Sequence, residues 1–253
     1  MSLSGTIQHI LETYRPFSLE KAETVRLMHR VDTKYILRTI DAVGLLYDIR
    51  KYYHVLEIAS QRKGTYTSVY YDTSDRQMFY AHITGRLPRY KVRERLYSQN
   101  GLKFFEIKQK SNKGRTSKRR KAISECSSEA NNWLHNQSPF HADELTPTLI
   151  IYFDRITLIN NQQTERVTLD FNLHFRTPSG DVTPVYDRVA IIELKQDKTV
   201  DSPLKKYLRR KSIHSGGISK YCVGMFLTGS ETNFKRYKPK FSHFIKTQNE
   251  RTY

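Results

Sequence analysis

The chain has 253 residues, 38% of them hydrophobic and 12% aromatic, which is enough apolar side chain for a core and excludes a disordered composition. Lys and Arg number 43 against 25 Asp and Glu, a formal net charge of +18, so the expected partners are polyanions: phosphate chains, nucleotides, nucleic acid or acidic lipid. Cys126 and Cys222 match no zinc or redox spacing, and no apolar run reaches the length of a signal-peptide core or a membrane span, which predicts a soluble, cytoplasmic protein.

In chain order, apolar positions at helical spacing (Ile7, Ile10, Leu11, then Leu19, Val25, Met28) predict two short helices separated at Pro16. HRVDTKYILR then alternates. TIDAVGLLYDIRKYY reads as a helix starting near Thr39 or Asp41, and HVLEIAS and KGTYTSVYYDT as a strand pair rich in β-branched and aromatic residues. A short helix opens near Asp75. Three strands follow as an antiparallel meander: residues 89–97, LKFFEIKQK after the turn signal SQNG, and TSKRRKAIS after SNKG. Residues 126–137 read as a helix, and PTLIIYFDRITLI, ERVTLDFNLHFRT and RVAIIELKQD as three long strands. Two helices, SPLKKYLRRK and SKYCVGMFLTG, precede a basic tail. No repeat and no Pro-, Gly- or Ser-rich linker interrupts this series, so a single α+β domain over residues 1–253 is expected.

Successive strand residues point to opposite faces, so RYKVRERLY sets Arg89, Lys91, Arg93, Arg95 and Tyr97 on one side. Neighbouring cations there stand roughly 7 Å apart. Each adjacent pair repels by about 0.6 kcal/mol in water and about 2.4 kcal/mol at an effective dielectric near 20. Such a row is tolerable when solvated; enclosed, it needs an anion. The pattern recurs with Arg30, Asp32 and Lys34, with Glu106, Lys108 and Lys110, and with Glu193, Lys195 and Asp197. It recurs again where Arg166, Thr168, Asp170, Asn172, His174 and Arg176 oppose Val167, Leu169, Phe171, Leu173 and Phe175. One such strand is an ordinary half-exposed edge. Five predict a closed antiparallel β-barrel with a charged lumen, its apolar outside covered by helices.

Carboxylates among the cations suit a divalent metal bridging phosphate oxygens. Neither G-x-x-x-x-G-K-[ST] nor G-x-G-x-x-G occurs, so phosphate binding rests on side chains. His29, His54 and His174 are too far separated to suggest a histidine metal site, Asp72 reads as a turn cap and Trp133 as a packing residue. SPLKKYLRRKSIH reads as a solvated helix with enough cations to meet acidic lipid.

RVDTKY, YYDT, KVRER, FEIKQK, YFDRITL, ERVTLDFN, IIELKQ and ISKY, in this order from about residue 30 to residue 221, resemble the VTC domain of the triphosphate tunnel metalloenzyme (CYTH-like) superfamily. The resemblance implies a β tunnel that transfers the γ-phosphoryl group of ATP to a growing inorganic polyphosphate chain and releases ADP, with Mn²⁺ or Mg²⁺. Position by position, it makes Lys34 the first-strand lysine, Arg93 and Arg95 the paired phosphate-binding arginines, and Lys108 the lysine of the E-x-K strand. Arg155 and Arg166 match two later arginines, Glu193 the metal-binding glutamate, and Ser219 and Lys220 the closing S-K-Y element. Lys118, Arg119 and Arg120 compete for a further basic place, and alternation leaves Lys118 and Arg120 together. Arg30, Lys91, Lys110, Tyr152 and Lys195 complete the expected substrate-binding set. Three positions depart from the family pattern: Asp32 where glutamate is frequent, Phe153 where a tyrosine is expected, and Gly217 where some members are basic.

Relatives that hydrolyse tripolyphosphate or nucleoside triphosphates usually open on E-x-E-x-K; R-V-D-T-K here favours the polymerase. A non-catalytic polyphosphate- or inositol-phosphate-binding module is the other alternative. Specific nucleic-acid binding is disfavoured because the cations alternate with carboxylates within strands. The resemblance also implies a membrane-protein partner, which would place the chain at the inner face of a membrane.

Overall fold

The computed structural model describes residues 3–24, 31–122, 127–196, 200–232, 235 and 237–250. Helix α1 (Leu3–Glu12) buries Ile7, Ile10 and Leu11, the face its spacing predicts. Between it and α2 (Leu19–Thr24), Arg15–Ser18 forms a short strand, β1, parallel to β3 (Tyr53–Glu57). Strand β2 (Val31–Arg38), α3 (Thr39–Ile49), β4 (Gly64–Asp72) and α4 (Gln77–Thr84) fall where expected. So does the meander of β5 (Arg89–Tyr97), β6 (Lys103–Lys110) and β7 (Thr116–Ala122). After α5 (Ser127–Gln137) come β8 (Thr146–Asn160), β9 (Glu165–Arg176), β10 (Val189–Gln196), α6 (Pro203–Arg210) and α7 (Lys220–Leu227).

Two local expectations fail. Strands β3 and β4 do not pair along their length, the only bridge between them, Ile58 to Gln61, lying in the connecting turn; β3 pairs with β1 and β8, and β4 lies between β8 and β5. The basic tail forms helix α8 (Lys238–Asn249), which opens on a proline in its first turn and buries Phe244 and Thr247. No helix among the described residues is long and apolar enough to cross a membrane.

The ten-stranded sheet runs β2-β10-β9-β8-β4-β5-β6-β7, antiparallel along this path. Among the described residues its ends, β2 and β7, do not pair, so the expected tunnel-like antiparallel sheet with flanking helices is present as an open curl and not as a fully closed barrel. The curl shows in two lysines from strands far apart on that path. Lys34 of β2 donates to the Ile218 carbonyl at 3.2 Å, and Lys91 of β5 donates to Ser219 Oγ at 2.7 Å. Closure fails because the segment just before α7 takes the β2 edge: Tyr35 bridges Ser215, and Gly216 N donates to Lys34 O at 2.8 Å. At the opposite end, β7 is a mostly exposed strand rich in Lys and Arg, a pattern that discourages edge-to-edge pairing.

Outside the curl, Tyr35, Leu37, Val167, Leu169, Phe171, Ile192 and Leu194 bury against α1, α3 and α6. Inside, one end is filled by α7, which packs on Ile36, Leu149, Ile151, Leu173, Phe175, Val189 and Ile191. Gly224 permits that approach, since a Cβ there would stand 2.5 Å from Leu149 and from Phe175.

Strand β9 contributes to both cores, contrary to the single apolar face its alternation predicts. Tyr152 opposes His174 but Asp154 opposes Phe171, so β9 carries one extra residue, and Asn172 adopts the left-handed region at φ 51°. This β-bulge turns Leu173 and Phe175 inward and His174 outward. The charged stretch Arg166, Thr168, Asp170 therefore ends where the apolar seat of α7 begins.

Candidate functional site

The concave face between α7 and the open end bounds a cavity of about 670 Å³. Strand alternation delivers its lining: Asp32 and Lys34 from β2, Lys91, Arg93 and Arg95 from β5, Lys108 from β6, Arg155 from β8, Arg166 and Thr168 from β9, and Glu193 and Lys195 from β10. Ser219, the N-cap of α7, and Lys220, its first residue, enter from the closed end. On β7, Lys118 and Arg120 both face the cavity, while Arg119 turns out and donates to the Gln137 carbonyl at 2.8 Å.

Two expected residues do not line the cavity. Lys110 ends β6 at its turn towards β7, opposite Arg89. Tyr152 occupies the outer face of β8, its ring stacked on His174 with centroids 4.6 Å apart. Arg30 lies outside the described residues, as do Cys126, His29 and Asp197. Asp72 acts as the cap it resembles, accepting from the backbone N–H of Met78 and Phe79, each at 2.9 Å.

Eleven cations line this space with Asp32 and Glu193, and two buried carboxylates behind them hold four of those cations in place. Glu106, 2% exposed, accepts from Arg93 Nε at 2.7 Å and meets the Lys118 ammonium at 2.6 Å. Asp170, also 2% exposed, accepts from Arg155 Nε and Nη2 at 2.6 and 2.8 Å and from the Lys220 ammonium. Burial alone would raise both acids, but Arg93, Arg95 and Lys118 around Glu106, and Arg155 and Lys220 around Asp170, hold them well below the usual carboxylate range. Each acid is thus a fixed charge on which two cationic side chains pivot.

Burial acts oppositely on the lysines, bringing Lys91 and Lys118 down to about 8 and lowering Lys108 and Lys220. For Tyr70 burial opposes ionisation, yet Arg93, Arg95 and Lys91 bring its phenol down to about 7, and Arg93 Nη1 donates to its oxygen at 2.8 Å. The acids and Tyr70 thus answer to the surrounding positive field, and the lysines chiefly to burial.

Beyond Tyr97, sequence alternation overlooked the aromatic part of the wall. Phe153 stacks on Tyr66 at 5.3 Å, Tyr66 meets Tyr97 at 5.0 Å, and Tyr97 meets Phe104 at 5.7 Å, a file crossing four strands. The Arg155 guanidinium lies 5.1 Å from both Tyr66 and Phe153, Arg95 lies 5.6 and 5.8 Å from the same rings, and Lys220 lies 4.9 Å from Phe153. Arg120 lies 4.9 Å from Phe104. Cation–π contact orients these groups without neutralising them. Phe153, where the resemblance leads one to expect a tyrosine, thus supports three cations. The available signal was register: Tyr66 and Tyr70 share a face of β4, and Phe104 shares one with Glu106 and Lys108.

The donors fit a hard divalent cation held mainly by ligand oxygens. Glu193 and Asp32 line the cavity, and Thr168 Oγ1, in register opposite Glu193, is buried without a hydrogen-bond partner. Among the described residues no three His, Cys, Asp or Glu side chains converge, so phosphate oxygens and water would have to complete the coordination shell around Glu193. Glu193 itself is drawn towards Lys195 and Lys34, at 3.3 and 3.8 Å. Those two cations help hold its carboxyl low despite burial.

The family model of the VTC domain matches residues 29–228 of this chain. Among solved structures, the PH1819 protein of Pyrococcus horikoshii OT3 is 16% identical with a TM-score of 0.47, covering 79% of this chain and 99% of that one. A Bacillus halodurans protein described as a candidate adenylate cyclase is 14% identical with a TM-score of 0.46, covering 83% and 99%. The Hippeastrum protein HpAC1, described as a candidate adenylyl cyclase that reveals a dominant triphosphatase activity, is 16% identical with a TM-score of 0.43, covering 81% and 99%. No curated protein matches the sequence.

Proposed function

The chain belongs to the VTC domain family, and we propose that it is a polyphosphate polymerase that moves the γ-phosphoryl group of ATP onto a growing inorganic chain. The observation that carries this reading is the convergence of eleven cations on one cavity, four of them fixed from behind by Glu106 and Asp170. Phosphoryl transfer asks a protein for alignment and for positive charge on the transferring oxygens more than for covalent chemistry. Arg93, Arg95, Lys108, Arg155 and Arg166 grip the triphosphate, and Lys34 and Lys220 orient the acceptor. A terminal oxygen of the acceptor chain attacks the γ-phosphorus, the bond from that phosphorus to the β–γ bridging oxygen breaks, and ADP leaves with the electron pair. The attacking oxygen is already anionic, so no general base is needed. Mn²⁺ or Mg²⁺ held at Glu193 would add charge on the phosphate oxygens.

Purified protein given ATP and Mn²⁺ should accumulate polyphosphate and ADP together. Free phosphate in place of polymer would assign hydrolysis, and bound tripolyphosphate without turnover would assign a binding module.

A further inference from the structure

We infer that the open mouth of the cavity is a nucleobase shelf that recognises stacked apolar area in preference to the hydrogen-bonding edge of the base, so that purine nucleoside triphosphates are accepted with little discrimination between them. The inference rests on the phosphate-binding reading of the cavity.

The mouth is built where two turns meet. Ser98 N donates to Thr65 O at 3.2 Å, and Gln99 Nε2 donates to Gln61 O at 3.1 Å, holding the β5–β6 turn beside the β3–β4 turn. These turns bring Ile58, Asn100 and Leu102 to the rim, joined by Leu19 from the start of α2. Leu102 is 46% exposed and Leu19 37%, an apolar rim on a cavity whose interior is lined by cations. A bare phosphate chain gains nothing from such a surface.

The order along β5 supplies the rest. Lys91, Arg93 and Arg95 point inward in succession, and Tyr97 follows on the same face roughly 7 Å beyond Arg95. Tyr97 pairs edge-on with Phe104 at 5.7 Å. A ligand carrying phosphates at one end and a flat ring at the other matches that succession. Its ring would lie beside Tyr97 under Leu102, with its phosphates among the arginines.

Edge recognition needs paired donors and acceptors. Among the described residues lining the cavity, Asn100 carries the sole amide, and its Oδ1 accepts from Leu102 N at 3.2 Å. With that oxygen engaged, no side-chain amide among the described lining residues offers a free donor and acceptor together, and stacking, which every base supplies through its π-face and larger bases supply more of, is the stronger contribution.

Calorimetric titration of the full chain with ATP, GTP, CTP and inorganic tripolyphosphate tests this, in wild type and in Leu102→Ser and Leu102→Trp. ATP and GTP should bind within about threefold of each other and CTP more weakly. Leu102→Ser should weaken ATP and GTP about fivefold, and Leu102→Trp should tighten both, while tripolyphosphate stays within about twofold in each variant. The shelf is overturned if ATP and GTP differ by more than about tenfold in wild type, or if tripolyphosphate moves in parallel with ATP. If tripolyphosphate does not bind wild type at all, the phosphate reading of the cavity fails instead.

Discussion

Replacing Asp170 with Asn keeps the shape of a side chain that is 2% exposed and removes its charge. Arg155, donating at 2.6 and 2.8 Å, and Lys220 then lose their shared counter-charge. Taking one partner from a buried ion pair costs about 3–5 kcal/mol. With about 2–4 °C per kcal/mol for a chain of this size, the melting temperature should fall by roughly 6–20 °C. The response to ligand is the sharper part of the prediction. In wild type, Asp170 and an incoming phosphate share the same two cations; in Asp170→Asn, the phosphate supplies charge that nothing else supplies. Tripolyphosphate should therefore raise the melting temperature more in the variant than in wild type, through preferential binding to the folded state. Thermal unfolding across a tripolyphosphate titration measures both effects. A fall of less than about 2 °C, or a smaller ligand-induced rise in the variant, would refute the assignment of Asp170 as the counter-charge of a phosphate-binding pair.

Arg95 is 6% exposed, donates to Ser68 at 3.1 Å and rests against two rings. Arg95→Ala should weaken tripolyphosphate by about 10- to 150-fold, as loss of a charged hydrogen bond of about 1.5–3 kcal/mol implies, and a change below about twofold by calorimetry would contradict it. Lys91 and Lys118 are brought down to about 8 by burial. A bound polyanion favours their charged forms, so binding should take up protons near that pH and affinity should fall as pH rises through it, more than about tenfold from pH 7 to pH 9. Titration in two buffers of different ionisation heat reads the uptake directly, and a null result there removes these lysines from the site. Gly224→Ala puts a methyl 2.5 Å from Leu149 and Phe175; overpacking should cost about 1–3 kcal/mol in chemical denaturation, and an unchanged midpoint would mean that α7 is not seated as described.

The charged lining was legible because β2, β5, β6 and β10 keep an uninterrupted period of two along the residues that matter. From Lys34, Arg93 and Glu193 alternation selects Asp32, Lys91, Arg95 and Lys195, and it overreaches only where a strand runs into its turn, as at Lys110. Strand β9 broke that rule through one residue, Asn172, whose left-handed backbone reverses the faces beyond it; asparagine tolerates that conformation, but a single asparagine in a strand is too common to announce a bulge. The open seam was hidden for another reason. The segment that takes the β2 edge, around Ser215 and Gly216, carries no strand pattern of its own. Nor did the aromatic file announce itself, because Tyr66 and Phe153 in strands read as ordinary core until their position beside Arg95 and Arg155 is known. Helix α8 was missed because its apolar Phe241, Phe244 and Ile245 are diluted by lysines.

The most direct measurement is a crystal structure of the protein with tripolyphosphate. The chain of phosphorus atoms should run through the concave cavity, among Arg93, Arg95, Arg155 and Lys220. Phosphates bound only on the exposed cations of β7 or α6, with the concave cavity holding none, would contradict the account.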